Sequence, residues 1–267
     1  MRRGLYVSEL KIDGFRSASS DVKHRLIIST EGLERSGKTN FGLTLPEPIA
    51  VLPLDNGTDE IVAKFKRAGK QILVPAETLD WEIGASKEEY LKLWGRVEKA
   101  FNRCLTTKGL RSLFIDTGTE MWELKRLAAF GKLTQVMPQH YMMVNEEFRK
   151  LIRAASDSNL NIVLSHKVKK RYVGQKAKAG QEQKESWDGT YERSGMNDVG
   201  FLVQMNLLHT FNYETHNFRL RIKDCRQNMD LAGTTIGIDD DCDFQLEPTF
   251  QSLGQIVYPE SSEEDWR

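Results

Sequence analysis

Short apolar runs of strand length alternate with longer amphipathic stretches along the first two-thirds of the chain. The apolar runs lie at residues 25–30, 48–55, 71–74, 112–116 and 161–166. Runs of this length are typical of strands that are buried on both faces of a sheet. Because such strands alternate with helical patterns, the chain is predicted to be an α/β protein with a mostly parallel central sheet flanked by helices.

Apolar residues at helical spacing mark the amphipathic stretches. Ser86 and Glu89 have the spacing of a helix-capping box. The stripe after them comprises Tyr90, Leu93, Trp94, Val97, Phe101 and Cys104. A second stripe comprises Tyr141, Val144, Phe148, Leu151, Ile152 and Ala155. Both predict helices with one side in the core, whereas the β-rich residues 199–222 predict an antiparallel β extension, a hairpin at one edge of the sheet.

The first apolar run leads into residues 32–39, which match the phosphate-loop pattern G-x-x-x-x-G-K-[ST]. Backbone amides of such a loop bind phosphates at a helix N-terminus, where the helix dipole favours negative charge. Lys38 is predicted to reach the β- and γ-phosphates, and the Thr39 hydroxyl to bind Mg²⁺. A strand before the loop and a helix after it favour this interpretation over a chance glycine-rich turn. The predicted nucleotide-binding residues are Gly32, Glu34, Arg35, Ser36, Gly37, Lys38, Thr39 and Asn40.

Two later strand ends carry polar side chains. Asp116 ends the apolar run 112–116, and ligands of an open α/β sheet lie beyond the carboxyl ends of its strands. Asp116 is therefore predicted to emerge beside the phosphate loop and to hold Mg²⁺ together with Thr39. His166 ends the next apolar run on the same rim and is the predicted sensor of the γ-phosphate. The alternative for His166 is a capping or solvated histidine, and Ser165 is a weaker candidate.

A hydrolase also needs a group that orients or activates water, and carboxylates commonly do this. The acids after the strand ends are Asp55, Asp59, Glu60, Glu120 and Glu123. Each could equally be a solvated or capping acid. Glu60 and Asp55 rank ahead of the others, and Glu60 is the predicted catalytic carboxylate.

The segment after His166 is strongly basic. Residues 167–180 hold six basic residues and no acid, together with two glycines, so we expect a flexible loop over residues 167–196. Such a loop can follow a phosphate backbone, while Tyr172, Trp187 and Tyr191 offer stacking faces for unpaired bases. The predicted DNA-binding residues are Lys167, Lys169, Lys170, Arg171, Tyr172, Lys176 and Lys178. The alternatives are a solvated basic loop and a protein partner.

Residues 218–228 read as a strand that ends in alternating charge. In ring- or filament-forming ATPases, a cation from one subunit can complete the neighbouring site by stabilising charge on the transferring phosphoryl group. Lys223 and Arg226 are the candidates for this role. The alternative is that both are surface charges.

Charge and cysteine content add predictions about the C-terminal segment and about where in the cell the protein is located. The formal net charge is zero, but residues 239–267 hold nine acids and one base, so the remaining chain carries +8. The last residues, 260–267, are polar enough to predict a disordered tail, which could compete with DNA for the basic loop or dock a partner through Trp266. The alternative is a solubilising tail. Three cysteines without metal-ligand spacing, and no signal-peptide or membrane-spanning stretch, predict a cytoplasmic protein.

The chain resembles the RecA-like phosphate-loop ATPases, and more closely the phage-encoded RecA-like single-strand annealing proteins of the Sak group. The matching segments are the phosphate loop and residues 114–122, 145–152 and 161–166. The resemblance implies a RecA-type core, ATP and Mg²⁺, a single-stranded DNA loop after the sensor strand, and assembly into rings or filaments. Residues 223–226 are similar to the family's Lys-x-Arg motif but carry one extra residue. Residues 54–57 lack the glutamate that the family has after the second core strand.

Together these features predict an N-terminal arm (residues 1–24), a RecA-like ATPase core (residues 25–238) and an acidic tail (residues 239–267). The predicted function is a DNA-dependent ATPase that binds single-stranded DNA in phage-type recombination, annealing or replication, in the host cytoplasm if phage-encoded. Its predicted partners are single-stranded DNA, further copies of the chain, and a single-strand-binding or other replication or recombination protein. The alternatives are a nucleotide or small-molecule kinase and a nucleotide-gated DNA-binding or loading module with little hydrolysis.

Overall fold

The computed structural model of the chain describes residues 24–55, 57–79, 85–132, 137, 140–174 and 185–267. Residues 1–23 of the predicted arm lie outside the described residues, as do Lys176 and Lys178.

The described residues form strands and helices that alternate in the first half of the chain. The strands are β1 (Ile27–Gly32), β2 (Ile49–Pro53), β3 (Ile72–Leu73), β4 (Ser112–Asp116), β5 (Asn161–His166), β6 (Val168–Gly174), β7 (Glu185–Arg193), β8 (Met205–Asn212), β9 (Asn217–Cys225), β10 (Thr235–Gly237) and β11 (Phe244–Gln245). The helices are α1 (Lys38–Gly42), α2 (Thr58–Arg67), α3 (Lys87–Thr106), α4 (Gly118–Phe130), α5 (Tyr141–Asp157), α6 (Val199–Leu202) and α7 (Phe250–Val257). Short 3₁₀ helices cover Met229–Leu231 and Glu263–Trp266.

One large sheet organises these elements, with the strand order β11-β10-β9-β8-β1-β5-β4-β2-β3. β1 pairs in parallel with β5 and β8, and β4 pairs in parallel with β5 and β2. β9 pairs antiparallel with β8 and β10. The predicted α/β class, with a mostly parallel sheet and an antiparallel extension, is confirmed. The predicted hairpin is β8–β9, but it does not form the edge of the sheet, because β10 and β11 continue beyond it.

Burial on both faces explains the continuous apolar runs in the sequence. Every residue of β1, β4 and β5 is buried, and alternate residues of these strands join two hydrophobic clusters on opposite faces. α3, α4 and α5 cover one cluster, while α1 and α7 cover the other. α3 begins at the predicted capping box, in which Ser86 Oγ accepts from the Glu89 amide and Glu89 Oε2 accepts from the Ser86 amide. None of the described helices is long and apolar enough to cross a membrane.

The basic segment predicted as a flexible loop over residues 167–196 contains an antiparallel hairpin, β6–β7, so the prediction of an irregular loop is wrong. Composition alone missed the cross-strand pairs that stabilise such a ribbon. Lys169 Nζ lies 3.2 Å from Glu192 Oε1, and Tyr172 is paired directly with Trp187. A two-stranded hairpin is only marginally stable by itself, so its contacts with the core are needed to keep it folded.

The acidic segment, residues 239–267, is folded onto the core, and the prediction of a disordered end is wrong. The Trp266 side chain is 0% exposed and stacks on Tyr258 with ring centres 5.7 Å apart. A Cβ atom added to Gly254 would lie 2.3 Å from the Trp266 ring, so α7 and the last turn pack closely. The prediction weighed acidic charge and missed the apolar side of α7, which carries Phe250 and Val257 into the core.

Trp266→Ala should lower the free energy of unfolding by about 3–5 kcal/mol, because it empties a fully buried aromatic site. Urea denaturation of the full chain measures this. Trp187→Ala is the matched control, since the Trp187 side chain is 45% exposed. Equal stabilities of the two variants would contradict the docking of the C-terminal turn onto the core.

Candidate active site

The phosphate loop connects the central strand β1 to α1. Gly37 has φ 94°, and a Cβ there would lie 2.9 Å from the Phe218 ring. A Cβ on Gly32 would lie 2.5 Å from Ser36 Oγ and 2.7 Å from the His209 carbonyl oxygen. Both glycines of the motif are therefore required by close approach, and at Gly37 also by backbone conformation.

The Lys38 side chain curls over this loop. Its Nζ donates hydrogen bonds to the carbonyl oxygens of Gly32 at 2.8 Å and Leu33 at 2.7 Å. Burial lowers the Lys38 pKa below its ordinary value, and the nearby Asp116 carboxylate opposes that shift. The ammonium group thus lies inside the curve of the loop, where a phosphate-loop lysine contacts the nucleotide.

Asp116 is held by three hydroxyl groups. Its Oδ2 accepts from Thr39 Oγ1 at 2.9 Å and from Thr58 Oγ1 at 2.8 Å, and its Oδ1 accepts from Ser165 Oγ at 2.6 Å. The structure therefore brings together Thr39 and Asp116, the two predicted metal ligands. All donor atoms in this group are oxygens, which fits the ligand preference of Mg²⁺.

His166 does not join this group. Side chains alternate between the faces of a strand, so when Ser165 points to Asp116 its neighbour points to the other face. The His166 ring is buried against Gly118, with Nδ1 3.5 Å from Thr119 Oγ1. Burial, followed by the charge of Arg193, lowers the His166 pKa well below its ordinary value. The prediction that His166 reaches the phosphates is wrong, and Ser165 is the β5 residue at the site.

An open pocket of about 1010 Å³ extends from the phosphate loop to Asp116. All the predicted nucleotide-binding residues line it: Gly32, Glu34, Arg35, Ser36, Gly37, Lys38, Thr39 and Asn40. Asp55, Glu60, Lys167 and Phe218 also line it. The volume and the polar lining suit a phosphorylated ligand of nucleotide size.

The candidate water-activating acids differ in their partners. Lys167 Nζ lies 2.6 Å from Glu120 Oε1 and 3.4 Å from Asp55 Oδ2, so both of these carboxylates share one ammonium group. Glu123 is paired with Arg126 on α4. The Glu60 side chain is exposed to the pocket and makes no hydrogen bond or ion pair with another described residue.

Lys167 was predicted to bind DNA, yet its side chain lines the phosphate pocket. Burial lowers the Lys167 pKa, but the carboxylates of Glu120 and Asp55 outweigh burial and raise it above the ordinary value. Lys167 directly follows β5 and hence lies on the rim that carries Asp116. Its position directly after an apolar strand could have predicted a place at the pocket. The basic residues that follow Lys167 suggested DNA binding instead.

His209 is a further residue that the sequence did not reveal. It pairs with Gly32 in the β1–β8 register and is buried beside the phosphate loop. Burial, followed by the charge of Lys38, lowers its pKa to about 3. The His209 imidazole is therefore neutral at physiological pH, so it does not repel the Lys38 ammonium group.

Lys223 and Arg226 lie away from the phosphate pocket of their own chain. They line a second depression of about 580 Å³. Lys223 Nζ lies 2.5 Å from Oε1 of the buried Glu31, whose Oε2 lies 3.0 Å from Arg193 Nε. Arg226 donates a hydrogen bond to the Phe201 carbonyl oxygen.

The β6–β7 hairpin presents an aromatic face. The Trp187 and Tyr191 ring centres are 5.8 Å apart, and Lys170 Nζ lies 4.9 Å from the Trp187 ring centre. Tyr172, Trp187 and Tyr191 are all exposed. Lys169 and Arg171 are paired with acids of the same hairpin, Glu192 and Asp188, so among the basic residues of β6 only Lys170 has no ion pair with a described residue.

Solved structures that resemble the chain are distant in sequence. The RadB recombinase matches with a TM-score of 0.45 and 9% identity, over 79% of this chain and 86% of that one. A prototypical ATPase from the type III secretion system of pathogenic bacteria matches with a TM-score of 0.45 and 13% identity, over 71% and 52%. The genome packaging NTPase B204 from Sulfolobus turreted icosahedral virus 2, solved with ATP-gammaS, matches with a TM-score of 0.34 and 10% identity. The match covers 75% of this chain and 93% of that one.

No curated protein matches the sequence. A family model described as an AAA domain, AAA_24, matches residues 26–191, which is more than half of the chain. These residues include the phosphate loop, Asp116 and the β6 strand. The family match confirms the predicted phosphate-loop NTPase domain and supports a nucleotide hydrolase. The chain belongs to the AAA-domain family AAA_24.

Proposed function

We propose that this protein is a Mg²⁺-dependent ATPase whose turnover responds to single-stranded DNA. The observation that carries the proposal is the hydrogen bond between Thr39 of the phosphate loop and Asp116, beside Lys38 in one pocket. A hydroxyl, a carboxylate and a lysine in this arrangement fit a triphosphate with its metal ion.

In this account the loop amides and Lys38 bind the β- and γ-phosphates, and Thr39 and Asp116 would hold Mg²⁺. The ion supplies positive charge that neutralises the phosphate oxygens during transfer. Glu60, which lines the pocket and has no hydrogen bond or ion pair with another described residue, orients the attacking water. Phe218, whose ring packs on Gly37, offers an apolar wall for the nucleobase.

Single-stranded DNA binds to the aromatic face of the β6–β7 hairpin in this proposal. Tyr172, Trp187 and Tyr191 provide stacking surfaces, and Lys170 provides a phosphate contact. Lys169 and Arg171 contribute less, since each is already paired with an acid. Lys176 and Lys178 remain predicted DNA contacts beyond β6.

Assembly into a ring or filament would give Lys223 and Arg226 a catalytic role. Neither lines the phosphate pocket of its own chain, so either could act only on the pocket of a neighbouring copy. Such an oligomer would serve phage-type recombination, annealing or replication on single-stranded DNA, together with a single-strand-binding protein or a related partner.

A nucleotide-gated DNA-binding module with little hydrolysis is the second candidate. The observation in its favour is that Asp55 and Glu120, two of the acids near Asp116, are both ion-paired with Lys167. The ATP turnover rate with saturating DNA separates this module from an active ATPase.

Lys38→Ala should weaken ATP binding by at least about 100-fold, because it removes charge-assisted hydrogen bonds to phosphate. Calorimetric titration with ATP and Mg²⁺ measures the affinity, and phosphate release with and without single-stranded DNA measures turnover. Lys66→Ala, on the exposed side of α2, is the control. Normal ATP affinity in Lys38→Ala would contradict the assignment of the pocket.

Trp187→Ala should weaken binding of single-stranded DNA by about 1–3 kcal/mol without changing its salt dependence, because stacking carries no charge. Lys170→Ala should instead lower the slope of log affinity against log salt by about 0.7. Leu91→Ala, an exposed apolar residue on α3, is the matched control in fluorescence anisotropy titrations. If both hairpin variants bind DNA as the control does, the hairpin is not the DNA site.

A further inference from the structure

Both strands of the β6–β7 hairpin are attached at their base to the element that follows Asp116. At the base, the Lys167 amide donates to Thr119 Oγ1 at 3.0 Å, and the Ser194 amide donates to the Lys167 carbonyl oxygen at 2.8 Å. Thr119 Oγ1 in turn donates to the Ser194 carbonyl oxygen at 3.1 Å. The first turn of α4 therefore holds both legs of the hairpin immediately behind Asp116.

The Lys167 side chain leaves this base and enters the phosphate pocket. Its ammonium group is shared between Glu120 and Asp55, at 2.6 and 3.4 Å. The side chains of Lys167 and Asp55 are 43% and 41% exposed, so their ion pair contributes only about 0–1 kcal/mol, whereas Glu120 is 19% exposed and is the firmer partner. A terminal phosphate carries more negative charge than either carboxylate and can compete with both for this partly exposed ammonium group.

Lys167 lies at the Asp116 end of the pocket. The Asp55 amide donates to the Asp116 carbonyl oxygen at 3.0 Å, and Thr58 donates to the Asp116 carboxylate. Lys167 is also close enough to Lys38 for its charge to lower the Lys38 pKa. In a phosphate-loop enzyme the lysine and the metal-binding acid meet at the terminal phosphate, so Lys167 faces that end of a bound triphosphate.

We propose that Lys167 is a ligand of the terminal phosphate, and that a nucleoside triphosphate replaces Glu120 and Asp55 as its partner while a diphosphate does not. The inference rests on the proposed nucleotide site and adds a residue that distinguishes the two nucleotides. Because Lys167 continues directly into β6, the exchange moves the first leg of the hairpin. DNA on the hairpin and triphosphate in the pocket must then affect each other's affinity by the same factor.

The test compares the binding of a non-hydrolysable ATP analogue and of ADP, both with Mg²⁺, to the full chain. Lys167→Gln should lower the affinity for the analogue by about 10- to 100-fold, the effect of one charge-assisted hydrogen bond. The affinity for ADP should change by less than about twofold. Lys167→Arg, which keeps the charge, should retain the preference for the analogue. Lys66→Gln is the matched control, because Lys66 is exposed on α2 and does not line the pocket.

Two results would overturn the proposal. If Lys167→Gln loses affinity equally for both nucleotides, Lys167 has only a structural role. If nucleotide affinity is unchanged and DNA affinity falls, Lys167 is a DNA contact. Lys38→Ala is measured in parallel. If Lys38→Ala binds the analogue normally, the nucleotide site itself is misassigned; if only Lys167→Gln behaves normally, the site stands and the role of Lys167 fails.

Discussion

The Asp116 carboxylate is the contact on which the arrangement of the site depends. It accepts hydrogen bonds from three hydroxyl groups, those of Thr39, Thr58 and Ser165. These belong to α1, α2 and β5, so one buried side chain fixes the phosphate loop, the helix after β2 and the neighbouring strand relative to β4. A buried carboxylate requires such partners, because leaving water without them is costly. The same oxygens suit a hard cation, so the group that orders the site is also its candidate metal ligand.

A second buried acid connects this site to the antiparallel part of the molecule. Glu31 directly precedes the phosphate loop and is paired with Arg193 from the hairpin and Lys223 from β9. The Glu31–Arg193 pair is buried on both sides, and breaking a buried ion pair typically costs about 3–5 kcal/mol, whereas Lys223 is 44% exposed and its pair contributes less. The hairpin is thus connected to the loop through Arg193 at one leg and to the pocket through Lys167 at the other. A ribbon of only two strands gains its fixed position from these contacts.

The phosphate loop and the end of β4 could be predicted because their chemistry is local: fixed spacing within eight residues, and an acid after a buried strand. Choosing between Ser165 and His166 was harder, since a shift of one residue reverses the face of a strand and nothing local sets the register. The partners of Glu31 lie 162 and 192 residues away in sequence, and no periodicity connects them. The hairpin and Trp266 were misjudged for a related reason, because charge composition does not show which acid pairs with which base or which aromatic ring covers a helix.

The most direct measurement is Mg²⁺-dependent phosphate release by Asp116→Asn, a substitution that keeps the shape of the side chain but removes its charge. Turnover is expected to fall by at least about 100-fold, the effect of losing one electrostatic contribution at an active site, with ATP still bound. Phosphate release at the unmodified rate would contradict the assignment of Asp116 as the centre of a nucleotide-hydrolysing site.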